Sequence, residues 1–600
     1  MLTKLSMKTR SADHAPQYVS TQGAIKVKRG LRTSSFRLIS SPSCAKMSQY
    51  QCKFDPIQKT WSGKKYVSIL NPQVPLGHVL LNMMDRDPDK VIQISADSGI
   101  KYTNHDIKVR AIRTCMFYSK YGLKQGDVVG IVAANSANLT PVVLASYITG
   151  IPYNCLDVSF AISEIEHMYG TTKPKIVFCD EGVYSVVKSA LQKIGLTSPI
   201  YIIDGHVENV PHVTEFMESV DNLVDDFVCP VLGDPKDIPG AIICSSGTTG
   251  LPKGVNVSQA SLVLCAEISP VRSSDILLCF SPMYWYSGVW TLIVSLMAGA
   301  TRIITTEKVS SDVILRLIEE YKVTFYLSPP SQMAALLQDP NISVSRLQSI
   351  RTYLCGGSKV LPILVQRMNT YLKNGSVYIM YGMTEVGSII TVNRGNEPLE
   401  SVGLAIPNMQ MKIVNDEGEI VGSEVDGEVL VKPPYPFLGY YGQPDATKNV
   451  FDEDGWIHSG DVGHFGKQGY LILVDRKKDI LIYRNYHYFP SEIENILVEI
   501  PDIAQTCVCG IADEDGSDLP AALIVKAQGS NLSEKDIVDH LQGRIADYKQ
   551  LRGGIYFTDS IPMTASGKYQ RRVVKEICTK LYKNKQGASN CIKETNVIRV

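Results

Sequence analysis

The densest chemistry in the chain lies in Ser245-Ser246-Gly247-Thr248-Thr249-Gly250-Leu251-Pro252-Lys253-Gly254. Glycines let backbone N–H groups turn inward and approach a polyanion closely. Serine and threonine add O–H donors, and Lys253 adds a mobile positive charge. Such a stretch suits a phosphate cradle; a Gly/Thr-rich surface turn would use the same residues without a ligand. The spacing is not that of the Walker loop, G-x-x-x-x-G-K-[ST], because glycine rather than Ser/Thr follows the lysine. A second candidate is Tyr381-Gly382-Met383-Thr384-Glu385, which joins a flat ring, a hydroxyl and a carboxylate over five residues.

These groups need a scaffold that brings them together, and the periodicity predicts one. Ala241–Cys244 reads as a short buried strand feeding the glycine loop. Upstream, Asp127–Ala133, Lys175–Cys179 and Ile200–Ile203 read as strands. Leu139–Thr149 reads as a helix, and Ser163 with Glu166 reads as a capping box for another. Strands at Thr324–Leu327, Arg351–Cys355 and Val377–Met380 each run into a loop, the second of them into Gly356-Gly357-Ser358. The alternation predicts an α/β chain whose two mostly parallel sheets are covered by helices, with ligands beyond the strands' carboxyl ends. After Gly403 the texture turns to short strands and tight turns, a β-rich subdomain at about 403–474. Asp475-Arg476-Lys477-Lys478-Asp479 is a charged joint. Beyond it, residues 475–583 read as a small α+β domain and 584–600 as a polar tail, while 47–474 form the large domain.

The two loops together closely resemble those of the adenylate-forming superfamily: acyl-CoA synthetases, coumarate-CoA ligases and beetle luciferases. The resemblance spans roughly residues 60–575 and adds Trp456-Ile457-His458-Ser459-Gly460-Asp461, Asp475-Arg476 and Ser566-Gly567-Lys568. It implies ATP, Mg²⁺ and coenzyme A as partners of a small carboxylic acid, and a large AMP-binding domain hinged to a mobile C-terminal one. Ser245 to Gly250 and Lys253 would hold phosphates. Tyr381 would stack on adenine, with Gly356, Gly357, Ser358 and Gly382 beside it. Thr384 would bond the α-phosphate, and Glu385 would hold Mg²⁺, a hard carboxylate for a hard cation. Asp461 would accept the ribose hydroxyls, and Arg476 would contact ribose or phosphate. Lys568 would bridge the attacking carboxylate and the α-phosphate. Lys478 would be the hinge, and Asn485 stands where the thioester loop usually has glycine. Tyr284, Trp285 and Gly288 would line the acyl pocket, aromatics replacing the usual histidine.

The implied activity is an ATP-dependent acid–CoA ligase passing through acyl-AMP, on a fatty or aryl acid. A luciferase-like monooxygenase is disfavoured, because Ile482 stands where beetle luciferases carry lysine. A silent acyl- or nucleotide-binding relative and a carrier-loading module are the other readings; too few residues follow Lys568 for a carrier domain.

Equal numbers of basic and acidic residues, 60 each, point away from nucleic acid and anionic membranes. Apolar runs are too short to span a bilayer. The fourteen cysteines include no C-x-x-C pair and read as buried free thiols of a reducing compartment. Residues 1–46 hold nine Lys/Arg and one acid, Asp13. That composition fits a mitochondrial transit peptide or a disordered extension before Met47, which would leave a cytoplasmic enzyme. The ending Ile598-Arg599-Val600 is not of the peroxisomal Ser-Lys-Leu type.

Overall fold

The computed structural model describes residues 52–219, 222–245, 252–483, 486–513, 517–564 and 568–597. Ser246 to Leu251 of the glycine loop and Asn485 lie outside the described residues.

Two β-sheets pack through buried helices. In the first, Thr352–Gly356 lies between Phe325–Ser328 and Ser376–Met383, all parallel. This nine-stranded sheet runs on through Ile276–Cys279, Thr301–Ile304 and Val91–Ser95, and antiparallel strands close both edges. The second sheet sets Tyr153–Leu156, Val129–Val132, Ile176–Cys179 and Ile200–Ile202 parallel. Its other edge is an antiparallel hairpin of Pro239–Ser245 and Lys253–Ser258. Parallel strands need covering on both faces, which explains why these runs are uniformly apolar. Leu139–Thr149 buries ten of its eleven residues, including Leu144 and Tyr147, and Tyr286–Ala298 is almost as enclosed. A helix hydrophobic all round can sit only inside a protein core.

The capping box expected at Ser163 and Glu166 is displaced by two residues. The helix spans Ile162–Thr172, and Glu164 Oε2 accepts the Ala161 N–H at 2.9 Å. Glu166 instead pairs with Lys193. A glutamate at either spacing looks alike in sequence; the helix starts after Ala161, which puts Glu164 at the third helical position.

The β-rich part is a six-stranded antiparallel sheet: Gln410–Val414, Gly427–Lys432, Ile457–Phe465 and Leu471–Arg476, with Lys53–Asp55 and Thr60–Ser62 added at its edge. Those last two strands precede it by about 350 residues and were not anticipated. From Leu481 on, the chain builds its own core. Ile493, Cys507, Leu523, Ile537 and Val574 are buried around a sheet of Ile503–Ala512, Asp518–Lys526 and Gly554–Phe557. Ten of the described cysteines, among them Cys155, Cys244 and Cys355, are buried, and Cys52 and Cys229 half-buried; all are free thiols. No helix among the described residues is long and apolar enough to cross a membrane.

Candidate active site

The hairpin that carries the glycine loop opposes Lys253 to Ser245. Lys253 is therefore the first residue of a strand rather than the last of a loop. Its ammonium stands 4.9 Å from the centroid of the Tyr440 ring, within cation–π range. The Tyr440 hydroxyl donates to Glu385 Oε1 at 2.9 Å. Lys253 and Glu385, 132 residues apart in sequence (385 − 253), thus both contact one tyrosine, the lysine over its ring and the glutamate at its hydroxyl. His167 Nε2 contacts the Pro252 carbonyl at 3.0 Å and steadies the entry to the same strand.

Tyr381, Gly382 and Met383 are not beyond a strand end but within Ser376–Met383, paired with Ser388–Asn393. A register shift between Tyr381 and Gly382 turns the chain there, and Thr384–Val386 follows as a single tight turn. Tyr381 is buried and its hydroxyl donates to Asp461 Oδ2 at 2.6 Å. Arg476 Nε meets the other carboxylate oxygen at 2.7 Å, because Asp461 and Arg476 face each other across two strands. Burial pushes the Asp461 carboxyl up; Arg476, the Tyr381 hydroxyl and Lys568 oppose it. Tyr381 and Arg476 thus each occupy one Asp461 carboxylate oxygen, and any further donor would share the carboxylate with them.

Lys568 reaches this cluster from the far end of the chain. A two-way bond places it: the Thr564 N–H donates to the Lys568 carbonyl at 2.7 Å, and the Lys568 N–H to Thr564 Oγ1 at 3.1 Å. Its Cε lies 4.0 Å from where a Cβ on Gly357 would be, and Gly357 has φ +91°, a left-handed conformation that favours glycine. Burial, then the Arg476 guanidinium, pull the Lys568 ammonium down to about 8, against Asp461 and Glu385. Lys478, on the turn Lys477–Asp479, adds a weaker repulsion. The structure thus gathers Gly357, Glu385, Asp461, Arg476 and Lys568 around one space.

The acyl-pocket candidates Tyr284, Trp285 and Gly288 sit around the start of the helix Tyr286–Ala298. A small cavity of about 30 Å³, room for little more than one water, is lined by Cys265, Trp290, Leu354, Tyr378, Ile389 and Ile406. Ile389 pairs with Gly382, so the cavity backs directly onto the Tyr381 hairpin. Tyr284, Trp285 and Gly288 are not among its lining residues. Tyr284 packs edge-on against Phe160 and Trp285, and a Cβ on Gly288 would sit 2.2 Å from the Pro282 carbonyl oxygen. Gly288 is thus required by helix-on-loop packing. Tyr440 and His167 escaped sequence reasoning. Only the Gly439-Tyr440-Tyr441-Gly442 cluster carried a signal, an aromatic pair inside a glycine turn.

Residues 82–441 match the family model described as AMP-binding enzyme, and 492–568 match that of the AMP-binding enzyme C-terminal domain. The chain belongs to the AMP-binding enzyme family. It is 28% identical over 543 residues to a probable 4-coumarate–CoA ligase 3 of Dictyostelium discoideum, covering 86% of this chain and 98% of that protein. It is 27% identical to the luciferin 4-monooxygenase of Photinus pyralis, covering 83% and 92%. Among solved structures, ATP-bound MatB of Rhodopseudomonas palustris superposes with a TM-score of 0.76 at 24% identity, over 85% of this chain and all of that one. An anthranilate CoA ligase in complex with anthranoyl-AMP superposes at 0.79 and 20% identity, over 85% and 98%. These likenesses place the fold, a large α/β domain with a small C-terminal domain, in the adenylate-forming superfamily.

Proposed function

We propose that this enzyme is an ATP-dependent carboxylic acid–CoA ligase that forms an acyl-AMP and then an acyl-CoA thioester. The carrying observation is Lys568, brought from a separate domain against Gly357 and into the field of Asp461, Glu385 and Arg476. A cation so placed meets charge where it builds as a carboxylate attacks the α-phosphate. Lys253 and the glycine loop take the outgoing phosphates, Thr384 the α-phosphate, and Asp461 with Arg476 the ribose. Glu385 fits Mg²⁺: it is a hard oxygen donor beside the phosphate strand, and Mg²⁺ needs only one or two protein carboxylates, the rest being phosphate and water. Bound there, the ion would neutralise phosphate charge.

Trp285 and the apolar helix that follows it favour a medium-chain, long-chain or aryl acid over acetate. In the second step the small domain turns about Lys478, withdraws Lys568 and presents the loop at Asn485; the CoA thiolate then attacks the acyl-AMP carbonyl and AMP leaves. The names of several relatives support this reading: they are coumarate–CoA ligases. Acid-dependent ATP–pyrophosphate exchange across a panel of acids, followed by thioester formation with CoA, tests it. Absence of exchange with every acid would leave a silent nucleotide binder; light with luciferin and oxygen would revive the monooxygenase.

A further inference from the structure

We propose that Lys359 is a positioning residue that couples nucleotide binding at Gly356–Ser358 to docking of the C-terminal domain. It thereby holds Lys568 in place for adenylate formation. The proposal rests on the ligase reading, which supplies the two half-reactions it separates.

Lys359 directly follows the glycine-rich turn that flanks the nucleotide space. Its Nζ donates to the Val474 carbonyl at 2.9 Å and to Ser491 Oγ at 3.0 Å. Val474 lies on Leu471–Arg476, the last strand before the charged joint, and Ser491 lies in the first turn of the helix Pro490–Leu497 beyond it. One ammonium therefore grips both sides of the joint. Ser491 completes the knot, donating its hydroxyl to the Val474 carbonyl at 3.1 Å and its N–H to Asp475 Oδ2 at 3.3 Å. Asp475, Glu494 and Glu492 surround the ammonium with negative charge, and Arg571 partly offsets them.

The same turn touches the catalytic cation. Lys568 Cε is 4.0 Å from the Cβ position of Gly357, two residues before Lys359. A nucleotide that orders Gly356–Ser358 fixes the base of Lys359 and so keeps its head within reach of Ser491. When the small domain turns, Ser491 leaves and the ammonium loses that acceptor. A charge-assisted hydrogen bond of this kind shifts a two-orientation equilibrium by about ten-fold.

Lys359→Met keeps the apolar stem and removes the donor. Acid-dependent ATP–pyrophosphate exchange is expected to fall about ten-fold, while thioester formation from supplied acyl-AMP and CoA is unchanged or faster. Lys359→Arg should restore part of the exchange. Tryptic cleavage of the full-length protein within Arg476–Lys478, slowed by ATP in the wild type, should lose that protection in Lys359→Met. Equal loss of both half-reactions, or unchanged exchange, overturns the proposal. Should the wild type exchange with no acid, the ligase reading falls and the cleavage comparison decides alone: ATP protection that survives in Lys359→Met overturns the latch, and its loss supports it.

Discussion

At Lys568 activity and stability pull in opposite directions with pH. The amine is useful to adenylation only when charged, yet in the folded enzyme burial and Arg476 lower it to about 8. The kcat/KM for adenylation, which reports the free enzyme, should therefore fall as pH rises through about 8. Thioester formation from supplied acyl-AMP should not follow that curve. The stability term has the reverse sign. A lysine whose folded value lies below its unfolded value of 10.5 makes the fold more stable as pH rises from about 8 towards 10.5. Lys568→Ala should cost adenylation about 10²–10³-fold and spare the second half-reaction, measured by exchange and by thioester release. Tyr381→Phe leaves one oxygen of buried Asp461 short of a donor, so unfolding should become easier by about 1–3 kcal/mol. Denaturant titration measures that change, and the KM for ATP should alter with it. The residue types at Tyr381, Asp461 and Lys568 were legible because each belongs to a short motif of unusual composition. That Tyr381 gives its hydroxyl to Asp461 was not, because 80 residues separate the two.

Elements show the same division between local and distant information. Leu139–Thr149 was readable to its last residue: its apolar run stops at Gly150, which caps the helix in the left-handed conformation with φ 68°. The strands before Gly356 and Ser245 were equally plain as β-branched or apolar runs ended by small residues. The two N-terminal strands that complete the β-rich sheet gave no such sign, since short edge strands are defined by their partner. The helix Tyr286–Ala298 is hard to read for a related reason. It is apolar throughout, so its sequence does not say which face meets a ligand. Trp290, buried on that helix, packs the core, and Trp290→Ala should cost about 3–5 kcal/mol of stability in a denaturant titration. At the loop of Asn485, outside the described residues, Asn485→Gly should preserve or raise thioester output, because glycine adopts a left-handed turn more readily than asparagine. A collapse of thioester output would mean that the loop works differently from the thioester loops it resembles.

For the molecule as a whole, division into two bodies could be read from the charged joint at Asp475–Asp479 and the change of texture beyond it. The docking of the small body could not, since the bonds from Lys359 to Val474 and Ser491 join residues 115 and 132 apart in sequence. Address is a separate property of the chain. Fusing residues 1–46 to a reporter should carry it into mitochondria if they act as a transit peptide; diffuse signal would reduce them to an extension. The cysteines have a practical bearing on all of these measurements. Burial holds thiols such as Cys244 up at about 12, leaving scarcely any thiolate at neutral pH, and only Cys52 and Cys229 of the described ones reach even half-way to solvent. A chromogenic disulfide reagent stirred into the native enzyme would therefore spare the described interior thiols and colour readily with coenzyme A, so consumption of the cosubstrate could be followed by eye over whatever colour the remaining cysteines give.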